Sequence, residues 1–489
     1  MKKIAAASMA VVLGCQARAA EKPNVLLILV DDLKPVFGAY GAAGIHSPNL
    51  DRLAARGIRF DRAYCNQAVC GPSRYNLLTG LRSTTTGLYG LKTGLREALP
   101  DAVTLPQYFM RHGYRTEGIG KIFHIGHGNY GDDASWSVPF HPDRVVDYVL
   151  EESTGGQLTR EEAYFSNQML DRIRTLPRGA AWEKADVPDE AYADGRIAAE
   201  AVRRLKQAAA NDTPLFLAVG FTKPHLPFCA PSKYWDLYQT EQFALTSRKT
   251  LPEGAPSYAG KTKIHELTNF KPVPEDGENI PEDMQRTLIH GYFAALSYMD
   301  AQLGRVLDAL DQSGLAENTL ILLWGDHGYH FGDHGTWTKH TNYEQDNRIP
   351  LIAVAPGITA PGSSTDAFAE SVDIYPTLAE LAGLPAPDVP QGLDGRSLLP
   401  VLKNPDASVR DHAYHAYPRR DRVGRAIRTA RYRMVEWKVP GAPESSADYE
   451  LYDYQRDRLE EKNLAAELPE VLSRMKALLA AHPEALPFR

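Results

Sequence analysis

The run from Asn24 to Val30 (NVLLILV) constrains this chain more than any other feature. Its apolar residues follow one another without polar alternation, so a strand built from them has no wet face. A short continuous apolar run closed by Asp31-Asp32 predicts a parallel strand buried on both sides. Leu215 to Phe221 (LFLAVGF) and Leu320 to Trp324 (LILLW) read the same way, and Arg115 to Phe123 makes a fourth strand. Ser47 to Gly57 carries a helix start at Ser47-Pro48 and a stop at Gly57. Tyr292, Leu296, Met299, Leu303, Val306 and Leu310 step by three or four residues, which predicts a long amphipathic helix ahead of the last strand. Strands separated by helices give an α/β fold: a large, mostly parallel sheet sandwiched by helices.

Two stretches break the alternation. Gly126 to Asp194 mixes aromatics with acids, and Lys249 to Glu282 is rich in Pro, Gly and charge. Both read as long surface excursions that shape a binding site. After about Pro400 the composition shifts: Ala426 to Trp437 is strand-like, and Leu468 to Leu479 is an amphipathic helix. The expected division is therefore a leader over 1–20, a catalytic unit over 21–402 and a small C-terminal α+β subdomain over 403–489, with antiparallel strands and a helix.

Lys2 and Lys3 precede an apolar run from Ile4 to Gly14, and Ala17-Arg18-Ala19 supplies a small-x-small cleavage site. The run is far short of the ~20 residues a spanning helix needs, so it reads as a secretory signal and not a transmembrane segment. A second reading takes Val12-Leu13-Gly14-Cys15 as a lipoprotein box, with Cys15 lipidated. The leucine before the glycine fits that box poorly, which favours plain secretion. Either way the chain leaves the cytoplasm, as a secreted or periplasmic protein. Its net charge of −7 argues against general nucleic-acid binding, so an anionic substrate requires a local basic pocket. Four cysteines (Cys15, Cys65, Cys70 and Cys229) exclude a disulfide scaffold.

In open α/β sheets ligands sit beyond the carboxyl ends of the strands. Asp31-Asp32 follow the first strand, Lys121 and His124 end the fourth, Lys223 and His225 follow Leu215 to Phe221, and Asp326-His327 follow Leu320 to Trp324 after one glycine. One Asp-Asp pair is usually a cap or a solvated turn. Four polar clusters arriving at one edge make a site. Three carboxylates and an imidazole form a mainly hard-oxygen set, which suits Ca²⁺ or Mg²⁺ better than zinc, and composition does not choose between those two ions. His330, His334 and His340 match no zinc spacing and read as solvated or supporting residues. Cys70-Gly71-Pro72-Ser73-Arg74, continuing through Leu78-Thr79-Gly80, places Pro72 in the first turn of a helix and Cys70 near its N-terminus, where the dipole favours an anion. Cys65, by contrast, reads as a small buried hydrophobe.

At these residues the chain resembles the type I sulfatases, which share the alkaline-phosphatase fold. C-x-P-S-R followed by L-T-G is that family's modification signature, through which a separate maturation enzyme oxidises the cysteine to formylglycine. Val30-Asp31-Asp32-Leu33-Lys34-Pro35, Gln67-Ala68-Val69-Cys70, Gly120-Lys121-Ile122-Phe123-His124, Lys223-Pro224-His225-Leu226-Pro227-Phe228 and Asp326-His327-Gly328 are similar to the iduronate-2-sulfatase branch. The resemblance implies Asp31, Asp32, Asp326, His327 and modified residue 70 as calcium ligands. It implies Arg74 and Lys121 as holding residue 70, His124 as lying beside its hydroxyls, and His225 and Lys339 as binding sulfate and assisting the leaving group. The implied substrate is a sulfated saccharide, 2-O-sulfated uronic acid foremost. Cys229 stands where that branch carries a basic residue on the pocket rim. Two alternatives stand beside this reading: a phosphonate or phosphate monoester hydrolase, and a saccharide-binding protein whose Cys70 is never oxidised.

Overall fold

The computed structural model describes residues 22–260, 266–277 and 279–489. The expected leader, with Cys15, and part of the excursion after Lys249 lie outside the described residues. The central sheet contains β1 (Asn24–Val30), β2 (Ile58–Tyr64), β3 (Arg115–Gly120), β4 (Leu215–Phe221), β5 (Thr319–Gly325), β6 (Arg348–Ile349), β7 (Leu351–Val354) and β8 (Ser363–Glu370). Its order is β3-β4-β1-β5-β7-β2, and β6 and β8 also pair with β2. β3, β4, β1 and β5 are mutually parallel, while β7 and β6 run against their neighbours. The three continuous apolar runs thus form the centre of the sheet, where both faces are covered.

The covering layers follow from the helices. On one face α1 (Pro48–Arg56), α3 (Ala193–Ala208) and the 31-residue α4 (Glu282–Gln312) bury Leu50, Leu53, Ile197, Leu296, Met299 and Leu303 against Leu26, Ile28 and Val30. On the other, α2 (Cys70–Thr79) and α5 (Ile374–Leu381) pack against Val25, Leu27 and Leu29. Alternate residues of β1 therefore serve two separate cores, as a strand buried on both faces requires. Among the described residues no helix is long and apolar enough to cross a membrane.

Beyond the sheet, β9 (His412–Arg419), β10 (Arg422–Thr429), β11 (Tyr432–Lys438) and β12 (Asp448–Asp453) form an antiparallel meander, and α6 (Pro469–Ala480) closes one side. The single strand-like stretch expected from Ala426 to Trp437 is in fact parts of two strands joined at Ala430-Arg431. Arg115 to Phe123 also needs correction, because β3 ends at Gly120. There φ is +72°, and a Cβ would lie 2.2 Å from the Gly220 carbonyl oxygen; a Cβ on Gly220 would lie 2.1 Å from that of Lys121. Two facing glycines let the ends of β3 and β4 approach closely while still paired in parallel, and the chain turns at Lys121.

Candidate active site

Each cluster reaches the site by a short path from a strand end. Asp31 and Asp32 leave β1 directly, and Asp32 adopts a positive φ of 59°. The Tyr292 hydroxyl of α4 donates to the Asp32 carbonyl (2.8 Å) and accepts from Lys34 N (2.9 Å), which fixes this turn. Asp326 follows β5; its Oδ1 accepts from the amides of Asp32 (2.9 Å) and His327 (3.0 Å). After β4, buried Asp194 accepts from Thr222 and Lys223, while Lys223 Nζ donates to the carbonyls of His225 (3.0 Å) and Pro227 (2.7 Å).

The helix α2 begins at Cys70. Residues 70, 73 and 74 fall on one helix face because they are three and four positions apart. Ser73 Oγ donates to the Asp326 carbonyl. Arg74 spans the floor of the site: it donates to Asp326 Oδ2 (3.1 Å), Asp31 Oδ1 (2.9 Å) and the carbonyls of Lys121 and Ile122. Lys121 Nζ donates to Asp31, and Lys339 Nζ donates to both Asp32 oxygens (3.1 and 2.9 Å). Cys70 Sγ lies 3.3 Å from His327 Nε2, which is itself 3.3 Å from Asp32 Oδ1. Ligand atoms of Asp31, Asp32, Cys70 and His225 lie within 4.8 Å of one another, as do those of Cys70, Asp326 and His327. All ten residues singled out in the sequence thus meet in one buried cluster, with His124 against the first turn of α2.

The electrostatics divide the acids. Burial would raise the Asp31 carboxyl, but Lys121 and Arg74 hold it well below the ordinary range. Burial pushes Asp32 up to about 7, with Asp31 and Glu266 adding to the rise against Lys339, and it raises Asp326 as well. His327 is driven to about 10 despite burial, because Asp326, Cys70 and Asp32 surround it. Arg74, Lys121 and Lys339 balance the three carboxylates, whose oxygens still converge beside residue 70, where a divalent cation would find its ligands. The oxygen-rich donor set of Asp31, Asp32 and Asp326, with His327 and residue 70, fits a hard cation. Burial also raises the Cys70 thiol, with Asp31 adding to it, so the unmodified side chain is a poor thiolate nucleophile.

Three residues of the site carry no signal of their own in the sequence. Glu266, in the second excursion, accepts from Lys339 Nζ (2.6 Å) and lies 3.4 Å from His225 Nε2. Phe165, in the first, puts its ring 5.0 Å from Lys121 Nζ, 6.0 Å from the His124 ring and 5.5 Å from that of His225. His127 lies 3.1 Å from His124, and only the H-x-x-H spacing could have pointed to it. His330 and His334 are buried, which leaves the supporting one of the two readings given them; His330 Nε2 lies 3.0 Å from Thr341 Oγ1 and 3.2 Å from Asp346. One expectation is corrected. Cys229 is not on the rim: it is fully buried with Ala185, Tyr192 and Tyr298 in a small side core.

Comparison with protein families matches residues 23–384 to Sulfatase and residues 332–484 to the N-sulphoglucosamine sulphohydrolase C-terminal region. The chain is 34% identical to iduronate 2-sulfatase of Mus musculus over 90% of each chain, and 32% identical to that of Homo sapiens over 94% of each. Among solved structures, a protein in complex with its substrate D-glucosamine-2-N,6-O-disulfate superposes with a TM-score of 0.73 (22% identity, 94% of this chain and 97% of that one). The phosphonate monoester hydrolase of Agrobacterium radiobacter gives 0.69 (23% identity, 94% and 96%).

Proposed function

The chain belongs to the sulfatase family and is a sulfuric ester hydrolase, and on that premise we propose that it removes the sulfate of a 2-O-sulfated uronic acid during breakdown of a sulfated polysaccharide. The observation that carries the reading is the arrival of residue 70, at the tip of α2, among donors from four strand ends. The two iduronate 2-sulfatases support the sugar, since the likeness runs through 90% or more of the chain.

Residue 70 acts as formylglycine, hydrated to two hydroxyls: one attacks sulfur, and loss of the proton from the other restores the aldehyde and releases sulfate. A calcium ion, preferred over Mg²⁺ on the resemblance, would be held by Asp31, Asp32, Asp326, His327 and residue 70, and would supply charge neutralisation and polarisation of the sulfate. Arg74 anchors the floor from below, through Asp31 and Asp326. Lys121 stabilises negative charge beside residue 70. His225 protonates the departing sugar oxygen: beside the bound anionic sulfate its Nε2 takes a proton from water, against the burial that, with Lys339 next, lowers its pKa in the free site, and passes it to that oxygen. Lys339 is held cationic by Asp32 and Glu266 against burial, ready to meet the sulfate. His124 takes the proton of the second hydroxyl. The oxidation of Cys70 calls for a maturation enzyme as partner. We read residues 1–20 as the export leader, with lipidation at Cys15 as the other route; residues 21–402 form the catalytic unit and 403–489 an appended subdomain.

The test is sulfate release from defined sulfated mono- and disaccharides by matured protein. Release from a terminal 2-O-sulfated uronate is expected. Turnover confined to sulfated glucosamine would overturn the sugar, and faster turnover of phosphonate monoesters would overturn the reaction.

A further inference from the structure

The chemistry above leaves His127 without a task, although the chain goes to some length to place it. Gly126, His127 and Gly128 have φ of 105°, 56° and 97°, all in the region that side-chain-bearing residues rarely adopt. A Cβ on Gly126 would lie 2.8 Å from the Phe165 Cα. The His127 amide donates to the Tyr164 carbonyl (2.9 Å), its ring stacks on Tyr164 at 4.6 Å, and Phe165 stands edge-on to both His127 and His124. The loop is bent and packed so that His127 Nδ1 lies 3.1 Å from His124 Nε2.

Among the described residues, His124 Nδ1 is buried without a hydrogen-bond partner, and the His124 side chain is 1% exposed, whereas His127 is partly exposed. A proton taken up by His124 therefore has no direct way out, and His127 bridges it to the surface. We propose that His127 is a positioning residue that fixes the tautomer of His124 and passes its proton to solvent. The inference rests on the role given to His124 above.

In this arrangement His124 Nε2–H donates to His127 Nδ1, which leaves the Nδ1 lone pair of His124 as the base. When that lone pair takes the proton of a residue-70 hydroxyl, the O–H bond breaks and an Nδ1–H bond forms. The Nε2 proton crosses to His127 Nδ1, and the His127 Nε2 proton goes to water. One proton has left the site, and both rings end neutral with tautomers exchanged. On rehydration the aldehyde oxygen takes the His124 Nδ1 proton and its carbon takes the hydroxide of a water; the His127 Nδ1 proton returns to His124 Nε2, and the water's remaining proton goes to His127 Nε2. The surroundings favour neutral rings at the start. Burial, with Lys121 next, brings His127 to about 4, with Lys339 and Lys92 acting alike and Glu266 opposing. Burial holds His124 well below the imidazole range, with Lys121, His127 and Arg74 acting alike and Asp31 opposing.

The test uses matured, metal-loaded, full-length His127→Phe and His127→Gln with an activated aryl sulfate. Glutamine keeps an acceptor for His124 Nε2 but passes no proton, so it separates the relay from mere support and guards against a phenylalanine variant that fails to fold. Both variants are expected to lose roughly 10- to 100-fold in kcat, less than a directly acting base contributes. Both kcat/KM and melting temperature should stay near wild type, with KM falling in step with kcat, a burst of one aryl alcohol per site and partial recovery in imidazole buffer. Wild-type kcat in both variants, or a loss of kcat with neither burst nor rescue, would overturn the relay. The underlying chemistry fails by a different sign: full activity in protein whose Cys70 is unmodified.

Discussion

Two clusters of buried charge in this molecule look alike in composition and differ in their cations. One is the site, where Asp31, Asp32 and Asp326 meet Arg74, Lys121 and Lys339. The other joins Glu370 and Asp373, at the end of β8, to Arg82 after α2 and Arg410 before β9. Glu370 there accepts from Arg82 (2.9 and 2.7 Å), Asn66 Nδ2 (2.7 Å), the Tyr414 amide (3.0 Å) and Arg410. Burial opposes its charge, but Arg410 and Arg82 hold Glu370 down to about 2. Both cations of that cluster are planar forks locked onto carboxylates, and nothing in it can leave. The site uses two lysines, whose compact ammonium groups can turn from a carboxylate to an arriving sulfate. Buried charge marks neither cluster as functional; acceptor oxygens that converge on one point, held by cations able to move, mark the site.

The largest expected contrast comes from deleting one acid in each. Asp326→Ala should abolish metal retention and lower kcat beyond the roughly 10²- to 10³-fold that one lost electrostatic partner costs. The metal-free variant should lose only about 1–3 kcal/mol of stability, because Arg74 keeps Asp31 while the buried amides of Asp32 and His327 lose an acceptor. Glu370→Ala should do the reverse: it strands Arg82 and Arg410 and costs about 3–5 kcal/mol of stability in denaturant titration, with turnover per folded molecule retained. Equal loss of stability from both would erase the distinction.

Exchanging the cations sharpens it. Lys339→Arg keeps the charge beside Asp32 and Glu266 but replaces a mobile point charge with a fork; kcat should fall about tenfold with stability within ~1 kcal/mol of wild type. Arg410→Lys should leave kcat unchanged and cost about 1–2 kcal/mol, because one ammonium cannot span Glu370 and Asp373. The smallest effect is reserved for Cys229→Ala: KM for the sulfated sugar should not move, and stability should fall by only about 1 kcal/mol, since Cys229 packs in a side core away from substrate. A changed KM would return Cys229 to the pocket.

Three of the four parallel strands were legible because burial on both faces forces continuous apolar runs, and the ends of all four, the edge strand RTEGIG included, delivered the acids, lysines and histidines together. The rest of the sheet was not. Ile58–Tyr64 reads IRFDRAY and Ser363–Glu370 reads SSTDAFAE, because partly exposed strands away from the centre of the sheet tolerate charge and carry neither pattern cleanly. Glu266, Phe165 and His127 escaped for a related reason. They lie in irregular excursions, where no periodicity says which way a side chain faces, and only the folded loops bring them to Lys339, Lys121 and His124. Cys229 misled because position in a motif does not fix orientation: two residues from the buried Pro227 carbonyl, the chain turns it into a separate core.

The central claim is that residue 70 works as an oxidised side chain at the meeting point of these strand ends. Its most direct test is the mass of the tryptic peptide containing residue 70, measured on graded preparations whose specific activity toward the sulfated uronate is known. The account expects a species about 18 Da lighter than the cysteine peptide, with activity proportional to its fraction. Full activity in a preparation holding only unmodified cysteine at position 70 would contradict it.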